Sequence, residues 1–114
     1  MSKVFAIHNF ELKPGASAEA LEKLLAENTF PTLPGWTSYY ARGERGERAG
    51  KYALIHEFES AEVRDRYFPT EGGEVPEEVQ RLFSDPKMQV IAEEFDKLAT
   101  STINSVYTDY MVIG

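Results

Sequence analysis

IHNFE at residues 7–11 recurs as IHEFE at residues 55–59, and the two copies contain both histidines of the chain, His8 and His56. Each copy lies in a short apolar run with the residue types of a β-strand, and each is followed by a helix-like segment and then by a further strand-like segment. A repeat at this spacing is typical of one domain built from two similar βαβ halves. The pattern therefore predicts equivalent positions for His8 and His56 in the two halves.

The composition is that of a globular chain and excludes several kinds of site. The 114 residues carry a net charge of −7 and include no cysteine, which excludes disulfides, thiolate nucleophiles, thiolate metal sites and iron–sulfur clusters. Basic side chains between residues 42 and 51 alternate with Glu44 and Glu47, so neither nucleic acid nor an anionic membrane is expected as a partner. No apolar run is long enough to span a bilayer and no leader pattern precedes the first strand, so the sequence predicts a cytoplasmic protein.

Strands and helices are predicted in the order β-α-β-β-α-β. The segments with strand character are residues 4–12, 36–42, 51–59 and 104–113. The first crossover helix follows Ser17, and the second follows Ser60 and stops before Pro69. Serine is well suited to cap a helix at both positions.

The second crossover is longer than the first. Residues 69–74 form a glycine-rich stretch that predicts a surface insertion, or a lid if the stretch moves over a pocket. A short helix is expected over residues 76–83, and a longer one starts at residues 84–86. The longer helix has one core-facing stripe, formed by Met88, Ile91, Phe95 and Leu98.

This order of elements predicts a single α+β domain over residues 1–114, in the form of a split βαβ sandwich. Right-handed crossovers place the first and third strands side by side in the middle of a four-stranded antiparallel sheet, in the order 4-1-3-2. The helices then cover one face of the sheet. The two copies of the repeat are therefore predicted neighbours.

The two faces of the predicted sheet are both partly apolar. Period-two alternation assigns His8 and His56 to the face that meets the helices. The opposite face has an apolar patch that consists of Phe5, Ile7, Ala53 and Ile55. Because a sheet with one solvated face should alternate cleanly between apolar and polar residues, a second copy of the sheet is the expected cover. The sequence thus predicts a homodimer packed through this sheet face.

Four longer stretches match patterns of a known group of proteins. They are FELKPG at residues 10–15, LPGW at residues 33–36, YALIHEFESA at residues 52–61 and SDPKM at residues 84–88. With these stretches, the chain outside residues 69–74 resembles the dimeric α/β-barrel superfamily, in particular the antibiotic-biosynthesis-monooxygenase-like (ABM-like) and stress-responsive A/B-barrel families. The resemblance implies a ferredoxin-like sandwich that dimerises as an α/β barrel.

The resemblance also implies a function. It favours a cofactor-independent ABM-like monooxygenase that acts, without a metal or an organic cofactor, on a small aromatic or polyketide-like molecule. One histidine would deprotonate a phenolic substrate, and the resulting carbanion would react with oxygen. The alternative is a non-catalytic homodimeric module that binds a small ligand or only assembles, because fold alone does not determine activity.

Two other activities within the superfamily are disfavoured by residues of this chain. Cyclase-like relatives tend to use a histidine in a short proline-containing motif that corresponds to residues 84–88 of this chain. This chain has Asp85 and Met88 there instead. Haem-degrading relatives use a histidine on the second helical segment, and residues 61–103 contain none.

His8 and His56 are the candidate catalytic residues, because imidazole titrates near neutral pH and the two share one face of adjacent strands. If the register sets them opposite each other, their Cβ atoms are about 5 Å apart. The alternative is that both are core histidines with structural hydrogen bonds. A metal is not expected, because Glu11, Glu57 and Glu59 lie on the other face of the sheet; Asp109 on the last strand is left open as a third ligand.

The candidate substrate-binding residues are aromatic: Trp36, Tyr40, Tyr52, Tyr67 and Phe68. Such rings can line an apolar pocket between sheet and helices, with tyrosine hydroxyls as polar groups. The alternative is that they only fill the core. Tyr67 and Phe68, next to the glycine-rich insertion, are expected at the mouth of the pocket.

Overall fold

Helices and strands follow one another in the predicted order. The structure, a computed structural model, describes residues 2–70, 73–100 and 107–114. The elements are β1 (Val4–Phe10), α1 (Ala18–Glu27), β2 (Trp36–Arg42), β3 (Tyr52–Phe58), α2 (Ala61–Tyr67), α3 (Glu77–Ser84), α4 (Pro86–Leu98) and β4 (Tyr107–Met111). The start of the predicted last strand, at residues 104–106, lies outside the described residues.

The four strands form one antiparallel sheet in the order β2-β3-β1-β4. This is the predicted order 4-1-3-2 counted from the other edge, so the ferredoxin-like architecture is confirmed. The strands that contain the repeat, β1 and β3, lie in the middle of the sheet. Each has a different outer neighbour: β3 pairs with β2, and β1 pairs with β4.

The register sets the two histidines diagonally, not opposite each other. His8 is paired with Leu54 and His56 is paired with Ala6, so each histidine lies two residues along its strand from the position opposite the other. Diagonal neighbours on one face remain within reach of ring side chains. The ring centroids of His8 and His56 are 5.2 Å apart, with the rings nearly perpendicular.

Side-chain caps fix the start of three helices. Ser17 accepts a hydrogen bond from the Ala20 amide, and Ser60 accepts one from the Val63 amide, as the sequence predicts. Asp85 caps α4 in the same way, with Pro86 at the first helical position, where a missing amide hydrogen costs nothing. No helix in the described ranges is long and apolar enough to cross a membrane.

The core between sheet and helices consists of two clusters. Under α1 and α4, the buried members are Phe10, Leu21, Leu25, Tyr52, Leu54, Phe95 and Ala99. Under α2 and α3, they are Val4, Ala6, Trp36, Phe58, Tyr67 and Val79. Phe30, in the connection between α1 and β2, packs against both clusters.

The outer face of the sheet has an apolar row that crosses all four strands. Phe5, Ile7 and Ile55 are half-buried on this face. They continue into Tyr39 on β2, which is 48% exposed and paired with Ile55, and into Tyr110 on β4, which is 55% exposed and paired with Phe5. The predicted patch is therefore extended at both edges by a tyrosine.

Candidate active site

A cavity of about 740 Å³ lies between the sheet and the helices α2 and α3. Its volume is within the range of small-molecule sites, about 300–1,000 Å³. The floor includes His8 from β1 together with His56 and Phe58 from β3. The walls include Phe30 and Phe68, so the two imidazoles lie in a largely aromatic surface.

His56 is held by two hydrogen bonds to β2 and is only 7% exposed. The indole Nε1–H of Trp36 donates to Nδ1 of His56 at 3.0 Å. The hydroxyl of Ser38, which is paired with His56 in the register, lies 2.8 Å from the same Nδ1. Because an indole nitrogen can only donate, Nδ1 must be the acceptor, and the neutral ring carries its hydrogen on Nε2.

His56 stays uncharged well below neutral pH. Burial, and then the charge of nearby His8, lower the pKa of His56 from the ordinary value of 6.5 to about 4. Desolvation penalises the charged form of a buried imidazole, and a second positive charge penalises it further. His56 is therefore a neutral ring with a defined tautomer at physiological pH.

His8 occupies the equivalent position of the repeat but has different surroundings. Its ring is half-buried and stacks on the ring of Tyr107, with centroids 5.1 Å apart and an interplanar angle of 21°. Tyr107 belongs to the edge strand β4 and is 56% exposed. His8 thus lies on the more open side of the cavity.

Three charged side chains also line the cavity. The guanidinium of Arg64 on α2 forms ion pairs with Asp65 at 3.1 Å and with Asp109 on β4 at 3.2 Å. The second ion pair connects a helix to the edge strand. Because both carboxylates are already close to Arg64, its charge is largely compensated before any ligand enters.

A smaller cavity, of about 350 Å³, lies between α1 and β2 and also has Phe30 in its lining. Here Tyr52 donates a hydrogen bond to Glu22 at 2.9 Å, and Arg42 forms an ion pair with the same carboxylate. Burial raises the pKa of Tyr40 to about 12. Tyr40 is therefore a neutral hydroxyl and a poor proton acceptor at neutral pH.

The predicted site residues are divided between three locations. His8, His56 and Phe68 line the larger cavity, whereas Tyr40 and Tyr52 line the smaller one. Trp36 is buried in the core and donates a hydrogen bond to His56. Tyr67 is also buried in the core, where its hydroxyl donates to the Pro34 carbonyl at 2.7 Å. Whether any of these side chains touches a substrate stays a prediction.

Several lining residues were not among the predicted site residues. Arg64, Asp109 and Tyr107 come from segments whose relative position depends on the register of β4. The signal that was available is Arg64, one of two arginines in the last turn of a helix that follows the second repeat strand. Phe30 and Phe83 lie in a loop and at a helix end, where periodicity is uninformative.

No group of three or more histidine or acidic side chains that could hold a metal ion occurs among the residues described above.

Comparisons with known proteins identify the fold. Neither family models nor curated protein sequences match the chain. Among solved structures it is similar to SnoaB, a cofactor-independent oxygenase from Streptomyces nogalater, with a TM-score of 0.52 and 12% identity over 100% of this chain and 94% of that one. It is also similar to a candidate antibiotic biosynthesis monooxygenase from Chloroflexus aurantiacus J-10-fl, with a TM-score of 0.55 and 16% identity over 99% and 95% of the two chains.

A third similar structure is a dimeric protein of unknown function with a ferredoxin-like fold from Bacteroides fragilis NCTC 9343. Its TM-score is 0.52, with 13% identity over 96% of each chain. The chain described here has the ferredoxin-like fold of these proteins, and the predicted resemblance to ABM-like proteins is confirmed at the level of the fold.

Proposed function

We propose that this chain is a cofactor-independent oxygenase that acts on a small aromatic or polyketide-like phenol. The observation that carries the proposal is the cavity of about 740 Å³ that has the two imidazoles in its lining. The fold is that of SnoaB, which is a cofactor-independent oxygenase, and this supports the general class of activity.

The proposed reaction needs a base beside the phenolic hydroxyl. His8 is the better candidate, because Nδ1 of His56 already accepts from Trp36 and its Nε2 carries a hydrogen. His8 takes the phenolic proton, and the ring carbon ortho or para to the oxygen gives an electron pair to O₂. A carbon–oxygen bond forms, the imidazolium returns the proton to the peroxide, and loss of water leaves a carbonyl. Phenol and O₂ thus give quinone and water.

The proposal assigns substrate contact to the residues that line the larger cavity. Phe68 and Phe30 are placed to pack against the faces of an aromatic ligand. Trp36 and Tyr67 have structural hydrogen bonds instead, and Tyr40 and Tyr52 belong to the smaller cavity. These four side chains do not contact the substrate in the proposed complex.

The functional unit in this proposal is a cytoplasmic homodimer formed through the outer face of the sheet. The apolar row from Tyr39 through Ile55 and Ile7 to Phe5 and Tyr110 is the surface that a second copy would cover. One similar structure is described as dimeric. Ile55→Glu should convert the dimer to monomer in light scattering, because the symmetric contact would bury two unpaired carboxylates. A wild-type protein that is monomeric at micromolar concentration contradicts the dimer.

Oxygen uptake tests the activity directly. Wild-type protein is incubated with a set of one-, two- and three-ring phenols, and O₂ consumption and quinone absorbance are recorded together. His8→Gln should lower the rate by about 10²–10⁴, the usual contribution of a positioned base. Glu47→Gln, on the exposed hairpin loop, is the matched control and should leave the rate unchanged. Equal rates for wild type and His8→Gln contradict the assignment of His8.

A non-catalytic ligand-binding module is the second candidate function. The hydrogen bonds from Trp36 and Ser38 to His56 are those that a structural histidine makes, and they favour this alternative. It predicts that the same phenols bind, as seen by calorimetry, with neither O₂ uptake nor quinone formation.

A further inference from the structure

The orientation of the His56 ring defines what it can offer to a ligand. Trp36 can only donate, so Nδ1 accepts from it, and the Ser38 hydroxyl must also donate to this nitrogen. Trp36 therefore selects the tautomer, and the Ser38 hydroxyl, which can act as donor or acceptor, adds a second donor to the same nitrogen. The ring hydrogen resides on Nε2, on the side of the imidazole away from Trp36 and Ser38.

Among the residues that the structure describes, both side-chain hydrogen bonds of His56 use Nδ1. Nε2 has no hydrogen-bond partner among these residues. In the same residues, no buried side-chain nitrogen or oxygen lacks a partner. Nε2 is therefore not sealed in the core, and the ring to which it belongs lines the larger cavity. The cavity thus contains a neutral N–H donor.

The charged residues around the cavity leave this N–H as a suitable hydrogen-bond donor for an anionic oxygen. Arg64 is paired with Asp65 and Asp109, so it is a poor partner for a further anion. The two carboxylates repel an anion, and His8 is the proposed proton acceptor. A neutral imidazole N–H stabilises an oxyanion without first losing a proton, and it keeps this ability over a wide pH range.

We propose that His56 is a substrate-binding residue that donates a hydrogen bond from Nε2 to the oxygen of an ionised phenol, and that Trp36 and Ser38 are positioning residues that hold its tautomer. The inference deepens the proposed function, and it rests on that function for the identity of the ligand. Its ligand class is a phenolate or enolate oxygen attached to an aromatic frame.

Two substitutions of His56 separate this role from a structural one. In His56→Asn the amide oxygen lies near the position of Nδ1 and can still accept from Trp36, but no donor reaches the position of Nε2. In His56→Gln the amide nitrogen reaches the position of Nε2. The probe is 4-nitrophenol, whose visible absorbance reports the phenolate, and 4-nitroanisole is the matched ligand that cannot ionise.

The expected result is a reversal between the two variants. His56→Asn should bind the 4-nitrophenolate about tenfold to a hundredfold more weakly than wild type, whereas His56→Gln should stay within about threefold. Both should bind 4-nitroanisole as wild type does. If His56→Asn keeps wild-type phenolate affinity, or if both variants lose it equally, the proposal is wrong.

A measurement on the wild-type protein alone keeps the proposal testable should either variant fail to fold. The protein should lower the pKa of bound 4-nitrophenol by about one unit or more, since the donor stabilises only the ionised form. His8, Arg64, Asp65 and Asp109 also face the cavity, so the titration is repeated with His8→Gln. An unchanged or raised pKa of the bound probe, or no binding of the probe, overturns the proposal.

The positioning role of β2 has its own spectroscopic readout. ¹⁵N-detected imidazole spectra should show a single Nε2–H tautomer for His56 in the wild type. In Trp36→Phe combined with Ser38→Ala, the Nδ1–H tautomer should appear and the phenolate affinity should fall by about tenfold. A combined variant with an unchanged tautomer and unchanged affinity contradicts this role.

The inference and the proposed function fail in different ways. If the probe results are as expected but no phenol causes O₂ uptake, His56 binds phenolate in a protein that is not an oxygenase. If phenols are oxidised but His56→Asn binds and turns over like the wild type, the oxygenase proposal stands and the role of His56 is wrong.

Discussion

The two copies of the repeat have nearly the same sequence, but each lies next to a different outer strand of the sheet. His56 lies between β1 and β2, where Trp36 and Ser38 bind one of its nitrogens. His8 lies between β3 and the exposed edge strand β4, where Tyr107 stacks on its ring. The environment of each histidine is therefore set by the outer strand next to it. An internal repeat can place two identical side chains on one surface and still give them different chemistry.

The largest expected effect concerns a position at which the two copies should not differ. Phe10 and Phe58, the equivalent phenylalanines, are each 1% exposed, one in each core cluster. Phe10→Ala and Phe58→Ala should each lower the unfolding free energy by about 3–5 kcal/mol, measured by urea denaturation. Phe83→Ala, at a side chain 39% exposed, is the control and should cost clearly less. Strongly unequal losses at Phe10 and Phe58 would mean that the two halves are not equivalent in packing.

The second expected effect is a loss of stability in acid that is caused by one of the two histidines, His56. The unfolded chain protonates His56 below about pH 6.5 but the folded chain only below about pH 4, so stability is lost as the pH falls through this window. The unfolding free energy should be about 3 kcal/mol lower at pH 4 than at pH 7 because of this residue.

Matched variants test the assignment of this loss to His56. Urea denaturation from pH 7 to pH 4 should show a much flatter dependence for His56→Gln, whereas His8→Gln should retain most of it, because burial is the larger cause of the shift. Glu11 and Glu22, whose pKa is lowered by hydrogen bonds with Lys51 and with Tyr52, add a further loss chiefly below pH 4.5. The same slope in His56→Gln and in wild type would contradict the assignment.

The third effect compares the flanking aromatic residues. Trp36→Phe removes a buried donor to His56 and should cost about 2 kcal/mol of unfolding free energy. Tyr107→Leu, on the exposed side of His8, should change it by less than about 0.5 kcal/mol. Thermal or urea unfolding of both variants decides the point. Similar costs would show that β4 holds its histidine as firmly as β2 does.

The smallest effect concerns the Ser38 hydroxyl. Ser38→Ala removes one of the two donors to Nδ1 of His56 and should cost about 1 kcal/mol, because Trp36 still satisfies the nitrogen. Thr37→Ala, on the exposed side of the same strand, is the control for strand propensity. If the two substitutions lower the unfolding free energy equally, the hydrogen bond of the Ser38 hydroxyl to His56 contributes nothing to stability.

Much of the fold could be predicted from local patterns. Period-two alternation separated the helix-facing side of β1 and β3 from the outer side, and Ser17 and Ser60 marked the helix starts. These features depend only on residues close in sequence. The placement of His8 and His56 on one surface needed only the strand order, which the crossover rule gives.

The details of the site depended on contacts between distant segments. The diagonal offset of the histidines, and the position of Ser38 opposite His56, are set by the register, which alternation alone does not define. The hydrogen bond between Trp36 and His56 and the ion pair between Arg64 and Asp109 join segments 20 and 45 residues apart. Sequence patterning therefore found the surface, but the partner of each side chain required the assembled sheet.

Phe30 lines both cavities and packs against both core clusters. Its ring, 5.0 Å from that of His56, is a partition between two compartments under the helices. In the proposed function, this one side chain limits the length of a ligand above the histidines on that side. A smaller residue at this position would join the compartments and admit a longer molecule, extending toward Tyr40 and Glu22. In the proposed function, ligand size is thus controlled from a loop, separately from the strands that carry the imidazoles.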